Sequence, residues 1–121
     1  MIKHTYNKDI QVLEVIYEGH INSDEIIRHT KYIATNKELP RNLKIITDAR
    51  NAIYDFDDDT VSQLKSFLKV STKNYITIKD AFLHKKPKET AYSILMESET
   101  GFDNYFHKVF YTREAALKWL D

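Results

Sequence analysis

The stretch Leu43-Lys44-Ile45-Ile46-Thr47 decides the fold, because it is a short, continuous apolar run. Such a run is typical of a strand buried on both faces, as in the centre of a parallel sheet. Pro40 closes the helical pattern before it, and a second helical pattern begins after it at Val61. A strand between two helices reaches its neighbours through crossovers, so the run predicts a mostly parallel α/β sheet.

The residues before this strand predict a hairpin and a helix. Residues 10–17 are apolar and β-branched and are bounded by Gly19, and residues 2–6 are the expected hairpin partner. Asn22 is placed to cap a helix, with Glu25 three residues later as in a capping box. The residues expected on the inner face of this helix are Ile26, Ile27, Thr30, Ile33 and Ala34.

The residues after the central strand predict three more helices and two more strands. Residues 76–83 and 105–111 are the strands, while Pro87 and Thr112 are placed to start the third and fourth helices. The expected inner faces contain Val61, Leu64, Phe67, Leu68 and Ser71, then Ala91, Ile94, Leu95 and Ser98, then Ala116, Leu117 and Leu120. The order β-β-α-β-α-β-α-β-α predicts a mixed, mostly parallel five-stranded sheet with four helices.

Size and composition indicate a single domain over residues 1–121. Lys+Arg and Asp+Glu are 18 each, and this zero net charge argues against a nucleic-acid partner. The absence of cysteine excludes disulfides and thiolate metal sites. No apolar run approaches the roughly 20 residues of a membrane span, and no signal peptide is evident. We therefore expect a cytoplasmic protein without a transmembrane segment.

Three stretches, together with the order of elements, resemble the SpoIIAA-like family, a relative of STAS domains that also carries the Sec14-like name. The stretches are LKIITDAR at residues 43–50, KPKETA at residues 86–91 and VFYTREAALKWL at residues 109–120. The resemblance covers essentially the whole chain and implies a STAS-like fold. Because these are packing motifs, they say little about activity.

One departure from STAS proteins concerns regulation. The resemblance would place a phosphorylatable serine, in an Asp-Ser-Ser-Gly-like stretch, in the loop before the second helix. Residues 49–60 read ARNAIYDFDDDT here, without serine or glycine, and Thr60 is the only hydroxyl besides Tyr54. We therefore do not carry the phosphorylation switch over to this chain.

The acidic run before the second helix resembles a calcium loop only at its start. Asp55, Asp57 and Asp59 alternate as the first ligands of an EF-hand do, but Thr60 replaces the required glycine and Ser66 the required glutamate. Aspartates at a helix start more simply cap free amides, worth about 0.3–1 kcal/mol each. The histidines lie on separate elements without metal-ligand spacing, so we expect no metal and no cofactor.

The sequence contains few features that indicate a catalytic function. There is no nucleophile elbow and no glycine-rich phosphate loop. The paired carboxylates Asp57 and Asp58 lie in a run expected to be solvated, where neither pKa is tuned for acid–base work. We expect a non-enzyme, and a catalytic role would require a deep pocket holding His20 or His84 beside Asp48.

Lysines follow the fourth predicted strand in the run His84-Lys85-Lys86-Pro87-Lys88. They surround helix-start amides that attract anions, so a phosphate, an acidic head group or an acidic protein patch is a candidate ligand, and a solvated loop is the alternative. Ligands of open α/β sheets gather at the carboxyl ends of strands. The expected binding rim there consists of His20, Asp48, Arg50, Asp57, Asp58, Asp59, Thr60, His84, Lys85, Lys86 and Lys88.

Two functional hypotheses remain open. The first is a regulatory or protein-interaction module, because acidic and basic patches on one rim suit a protein partner. The second is a carrier of a small apolar or lipid-like ligand, which the Sec14-like association implies. A homodimer fits either hypothesis.

Overall fold

The central strand predicted at residues 43–47 lies in the middle of a five-stranded sheet. The computed structural model describes the backbone of residues 1–57, 59–98 and 103–121, and their side chains except those of residues 96–98. The elements are β1 (Ile2–Asn7), β2 (Val12–Asn22), α1 (Ser23–Thr35), β3 (Asn42–Asp55), α2 (Thr60–Ser71), a 3-10 turn (Thr72–Asn74), β4 (Thr77–Leu83), α3 (Pro87–Ser98), β5 (Tyr105–Phe110) and α4 (Arg113–Leu120).

The strand order β1-β2-β3-β4-β5 confirms the predicted architecture. β1 pairs antiparallel with β2, and each later strand pairs parallel with the one before it. Right-handed crossovers that all step in one direction place their helices on a single face of the sheet. α1, α2 and α3 accordingly share the larger core, while α4 closes a smaller core on the opposite face.

The two longest strands extend beyond the predicted ends. β2 continues past Gly19 to Asn22, and β3 continues past residue 47 to Asp55, with the two strands paired up to their last residues. Gly19 has a φ of 70°, and a register shift between Ile16 and Glu18 adjusts the pairing. β4 ends opposite residue 48, so β3 runs on with no strand of the described residues at that edge.

Side chains at the start of α3 satisfy this open edge of β3. The Lys86 and Lys88 ammonium groups donate to the carbonyls of Ala52 and Tyr54, at 3.3 and 2.8 Å. The Tyr54 amide donates to the buried Glu89 carboxylate at 2.9 Å. The first turn of α3 therefore replaces the missing strand, as the rule that buried backbone groups are paired requires.

The predicted inner face of α3 was wrong. Ile94 and Leu95 are 51% and 45% exposed, and Ala91 is also exposed, whereas Glu89 and Ser93 are buried. The bonds from the first turn to β3 fix the rotation of the helix, and this rotation turns Ser93 inward. The side chain of residue 98, also predicted to face inward, lies outside the described residues.

The predicted starts of α1, α3 and α4 are confirmed. The Glu25 amide donates to the Asn22 side chain at 2.9 Å, and the Thr112 hydroxyl caps α4 in the same way. Pro87 is the first residue of α3. Among the residues that the structure describes, no helix is long and apolar enough to cross a membrane.

The Glu89 contact can be tested by substitution. We expect Glu89→Ala to lower the free energy of unfolding by about 1–3 kcal/mol, because the Tyr54 amide loses its acceptor. Glu114, also in a helix first turn but exposed, is the matched control, and Glu114→Ala should change stability by less than about 1 kcal/mol. Urea denaturation measures both, and equal losses would contradict the edge-filling role.

Candidate functional site: a cavity with a polar floor

The acidic part of the expected rim lies where α1 and α2 begin. Thr60 is fully buried, and its hydroxyl lies 2.6 Å from that of Ser23. Asp57 and Asp59 are exposed. Asp59 is the N-cap residue, yet its carboxylate accepts from the Gln63 side chain at 3.0 Å instead of capping an amide, so the capping interpretation is wrong for this residue. Asp58 lies outside the described residues.

Asp48 and Arg50 lie close together on the face that carries α4. Their side chains form an ion pair with an N–O distance of 2.8 Å. Hydrogen bonding from Arg50 lowers the pKa of Asp48 below its usual value. His20 lies further along the paired strands, with its Nδ1 atom 2.5 Å from the exposed Asp55 carboxylate.

Two of the three lysines in residues 84–88 bond to the protein backbone, although we expected this run to surround a bound anion. Lys86 and Lys88 donate to β3 carbonyls, whereas Lys85 is exposed and has no hydrogen bond or ion pair to the described residues. His84 is fully buried on the opposite side of the sheet from Arg50. The structure therefore divides the expected rim between two faces, because β3 runs past β4 and α3 covers its edge.

Sequence reasoning did not find a cavity of about 80 Å³ between the sheet and α1, α2 and α3. Its apolar wall consists of Tyr17, Ile26, Ile33, Ile45, Tyr54, Phe56, Val61, Leu64, Leu68, Ile78, Phe82, Tyr92 and Tyr105. Phe56 and Tyr92, with ring centroids 5.2 Å apart, are only partly buried, so the cavity approaches solvent between α2 and α3.

Buried polar groups form the floor of this cavity. The Ser93 hydroxyl lies 2.8 Å from Nε2 of His84 and 3.0 Å from Nε2 of His107. Nδ1 of His107 lies 3.2 Å from the Tyr105 hydroxyl. Asp80 lies beside His107 in the register of β4 and β5 and accepts a 2.9 Å hydrogen bond from the Thr47 hydroxyl.

Burial shifts the ionisation of these groups strongly. It raises the pKa of Asp80 to about 8, partly offset by the hydrogen bond from Thr47. Burial lowers the pKa of His84 to about 4 and that of His107 to about 3. Imidazoles this weakly basic are poorly matched to general-base work at neutral pH, although Ser93 lies between two of them.

A second buried histidine environment borders the cavity. His29 of α1 lines both the cavity and an outer groove beside β1, and burial lowers its pKa to about 4. Its Nδ1 atom has no hydrogen-bond partner in the part of the chain that the structure describes. No group of three His, Asp or Glu side chains with metal-binding geometry occurs among the described residues.

The sequence contained a weak signal for the floor. Asp80 interrupts an otherwise apolar strand, and His107 interrupts an aromatic one. A polar residue on a buried strand face points to a hydrogen-bonded network. The pairing of these two positions depends on the register between β4 and β5, which the sequence alone does not supply.

The comparisons with known proteins concern the fold. No family model matches the sequence, and no curated protein matches it. The architecture is that of an α/β protein with a mixed sheet and an uncovered region on one face. A crystal structure from Shewanella loihica PV-4, of an uncharacterised DUF3478-family protein with a SpoIIAA-like fold, is similar with a TM-score of 0.61 and 11% identity, covering 100% of this chain and 93% of that one. This chain therefore has a SpoIIAA-like fold.

The buried ionisable groups predict a maximum in the free energy of unfolding near pH 6.5. Below that pH the unfolded state protonates His29, His84 and His107 while the folded state does not, so stability falls as the pH drops towards about 4. Asp80, which keeps its proton in the folded state, raises stability as the pH drops. The three histidines outweigh this single group in the same pH range. Above pH 6.5 the folded state retains the Asp80 proton that the unfolded state has lost, so stability falls until about pH 8.

Urea denaturation at pH 5, 6.5 and 8.5 measures this profile. Asp80→Asn should remove the loss between pH 6.5 and 8.5, and Asp48→Asn, which changes a partly exposed carboxylate, should retain it. Wild-type stability that is equal or higher at pH 8.5 would contradict the assignment of the alkaline loss to Asp80.

Proposed function

We propose that this protein is a non-enzymatic module that binds a small, largely apolar ligand in the cavity between the sheet and α1–α3. The cavity itself carries the proposal, because it combines an aromatic wall with a few buried polar groups, as ligand sites do. The low basicity of His84 and His107 supports a non-enzymatic role. The cytoplasmic location stays a prediction.

The cavity volume limits the size of the ligand. An engineered cavity of about 150 Å³ binds benzene or xenon, and the cavity here has ≈ 80 Å³. A ligand of a few heavy atoms fits it directly. A longer molecule requires Phe56, which precedes α2, to separate from Tyr92 of α3, where the wall is only partly buried.

Xenon and cyclopentane test whether the cavity accepts an apolar guest. We expect both to shift amide NMR signals of the cavity-lining residues in a saturable way. Val61→Phe, which fills the cavity from α2, should abolish these shifts. Val70→Phe, the same change at a residue of α2 that is 64% exposed, is the matched control and should leave them unchanged. The absence of saturable shifts in the wild type would rule the proposal out.

A second candidate is the protein-interaction module, and the uncovered sheet face favours it. α4 contacts β3, β4 and β5, while the outer side of β2 leaves Ile16 42% exposed. Charges of both signs lie on this face, in the pairs Asp48–Arg50 and Glu14–Arg113. An apolar centre with charged surroundings suits a protein partner, or a second copy of this chain.

Substitution of Ile16 tests this second candidate. We expect Ile16→Asp to abolish both partner capture from native lysate and any dimer seen by light scattering. Ile10→Asp, at a residue that is similarly exposed in the β1–β2 turn, is the control and should preserve them. Capture that survives Ile16→Asp would exclude this face as the docking surface.

A further inference from the structure

We propose that Asp80 and Tyr105 select a ligand with a neutral hydrogen-bond acceptor, such as the carbonyl oxygen of a small ketone or ester. The inference rests on the proposed function, since it names the chemical class that the cavity accepts. It follows from the direction of each hydrogen bond on the cavity floor.

The carboxyl group of Asp80 has one oxygen in use and one available. The Thr47 hydroxyl donates to Oδ1, and this is the only side-chain hydrogen bond of Asp80 in the described part of the chain. The other oxygen, Oδ2, therefore carries the proton when the group is neutral. Because Asp80 lines the cavity, its proton is available to an acceptor inside it.

The hydrogen bonds that run from His84 through Ser93 and His107 make the Tyr105 oxygen an acceptor. Nδ1 of His84 is buried without a hydrogen-bond partner among the described residues, and a lone pair is cheaper to leave unpaired there than an N–H. His84 then carries its proton on Nε2 and donates to Ser93. In the direction proposed here, the Ser93 hydroxyl donates onward to Nε2 of His107, so Nδ1–H of His107 donates to the Tyr105 oxygen.

This direction leaves the Tyr105 hydroxyl proton free to donate. Tyr105 lines the cavity, as Asp80 does, so the floor presents two donors to its contents. The groups that interact electrostatically with Asp80 are the buried tyrosines Tyr17, Tyr54 and Tyr105, all of which stay neutral because burial raises the pKa of each.

The absence of a cation beside these donors decides the charge of the ligand. Asp80 has no Lys, Arg or charged His partner among the described residues, and its raised pKa keeps it neutral at pH 6.5. An anionic carboxylate ligand would meet no counter-charge. A cationic amine would require Asp80 to ionise in a buried site, which desolvation opposes. A neutral carbonyl compound requires neither change.

The test compares cyclopentane, cyclopentanone and cyclopentylamine, which share one ring and differ in the polar group. Binding of each is measured by amide NMR titration at pH 6.5. We expect wild-type protein to bind cyclopentanone roughly tenfold more tightly than cyclopentane, the difference that one or two added hydrogen bonds provide. Asp80→Asn keeps an acceptor for Thr47 and a donor for the cavity, so it should keep this preference.

Two further variants remove one donor each. Asp80→Leu should bind cyclopentane while losing most of the preference for cyclopentanone. Tyr105→Phe should lose part of it. If Asp80→Leu does not fold, Tyr105→Phe and Asp80→Asn still decide the question, because the first must reduce the preference and the second must retain it.

The outcomes separate the two proposals. Cyclopentane and cyclopentanone bound equally would overturn this inference and leave the apolar site intact. Cyclopentylamine bound most tightly would also overturn it, in favour of an ionised Asp80. If none of the three binds, the proposed function fails and this inference fails with it.

Discussion

The hydrogen bonds between the first turn of α3 and the free edge of β3 determine the rest of the structure. β3 continues to Asp55 while β4 ends at Leu83, so the backbone groups of Ala52 and Tyr54 need partners that none of the described strands provides. Lys86, Lys88 and Glu89 supply them. These contacts fix the rotation of α3 about its axis, and the positions of all its other side chains follow from that rotation.

The rotation of α3 creates the polar floor. With Glu89 directed at β3, Ser93 lies one helical turn further on the same side and reaches His84 and His107. The alternative rotation, with Ile94 and Leu95 inward, would fill the cavity with aliphatic side chains. The molecule instead exposes those two residues and buries Asp80, His84 and His107. Burial makes the charged forms of these three side chains unfavourable.

The spacing of hydrophobic residues was sufficient to predict the order of elements and the inner faces of α1, α2 and α4. Capping chemistry was sufficient to predict that Asn22 caps α1. They failed where a long-range contact overrides a local pattern. The spacing of Ile94 and Leu95 predicted the wrong face of α3, because the bonds of Glu89 to β3 join residues 35 positions apart. The expected rim is divided for a different reason: His84 follows the carboxyl end of β4, as predicted, but its side chain is buried in the core, while Arg50 lies on the other face of the sheet. Asp80 and His107 were visible as polar interruptions, and only the strand register makes them neighbours.

The two faces of the sheet offer different chemistry from adjacent residues of one strand. Thr47 holds Asp80 on the cavity side, and Asp48, the next residue of β3, pairs with Arg50 on the uncovered side. Alternation along a strand directs these two side chains to opposite faces of the sheet. A similar SpoIIAA-like backbone occurs in a protein with only 11% identity, which means that the backbone alone specifies neither surface. Any activity of this chain must therefore come from the particular side chains that each face presents.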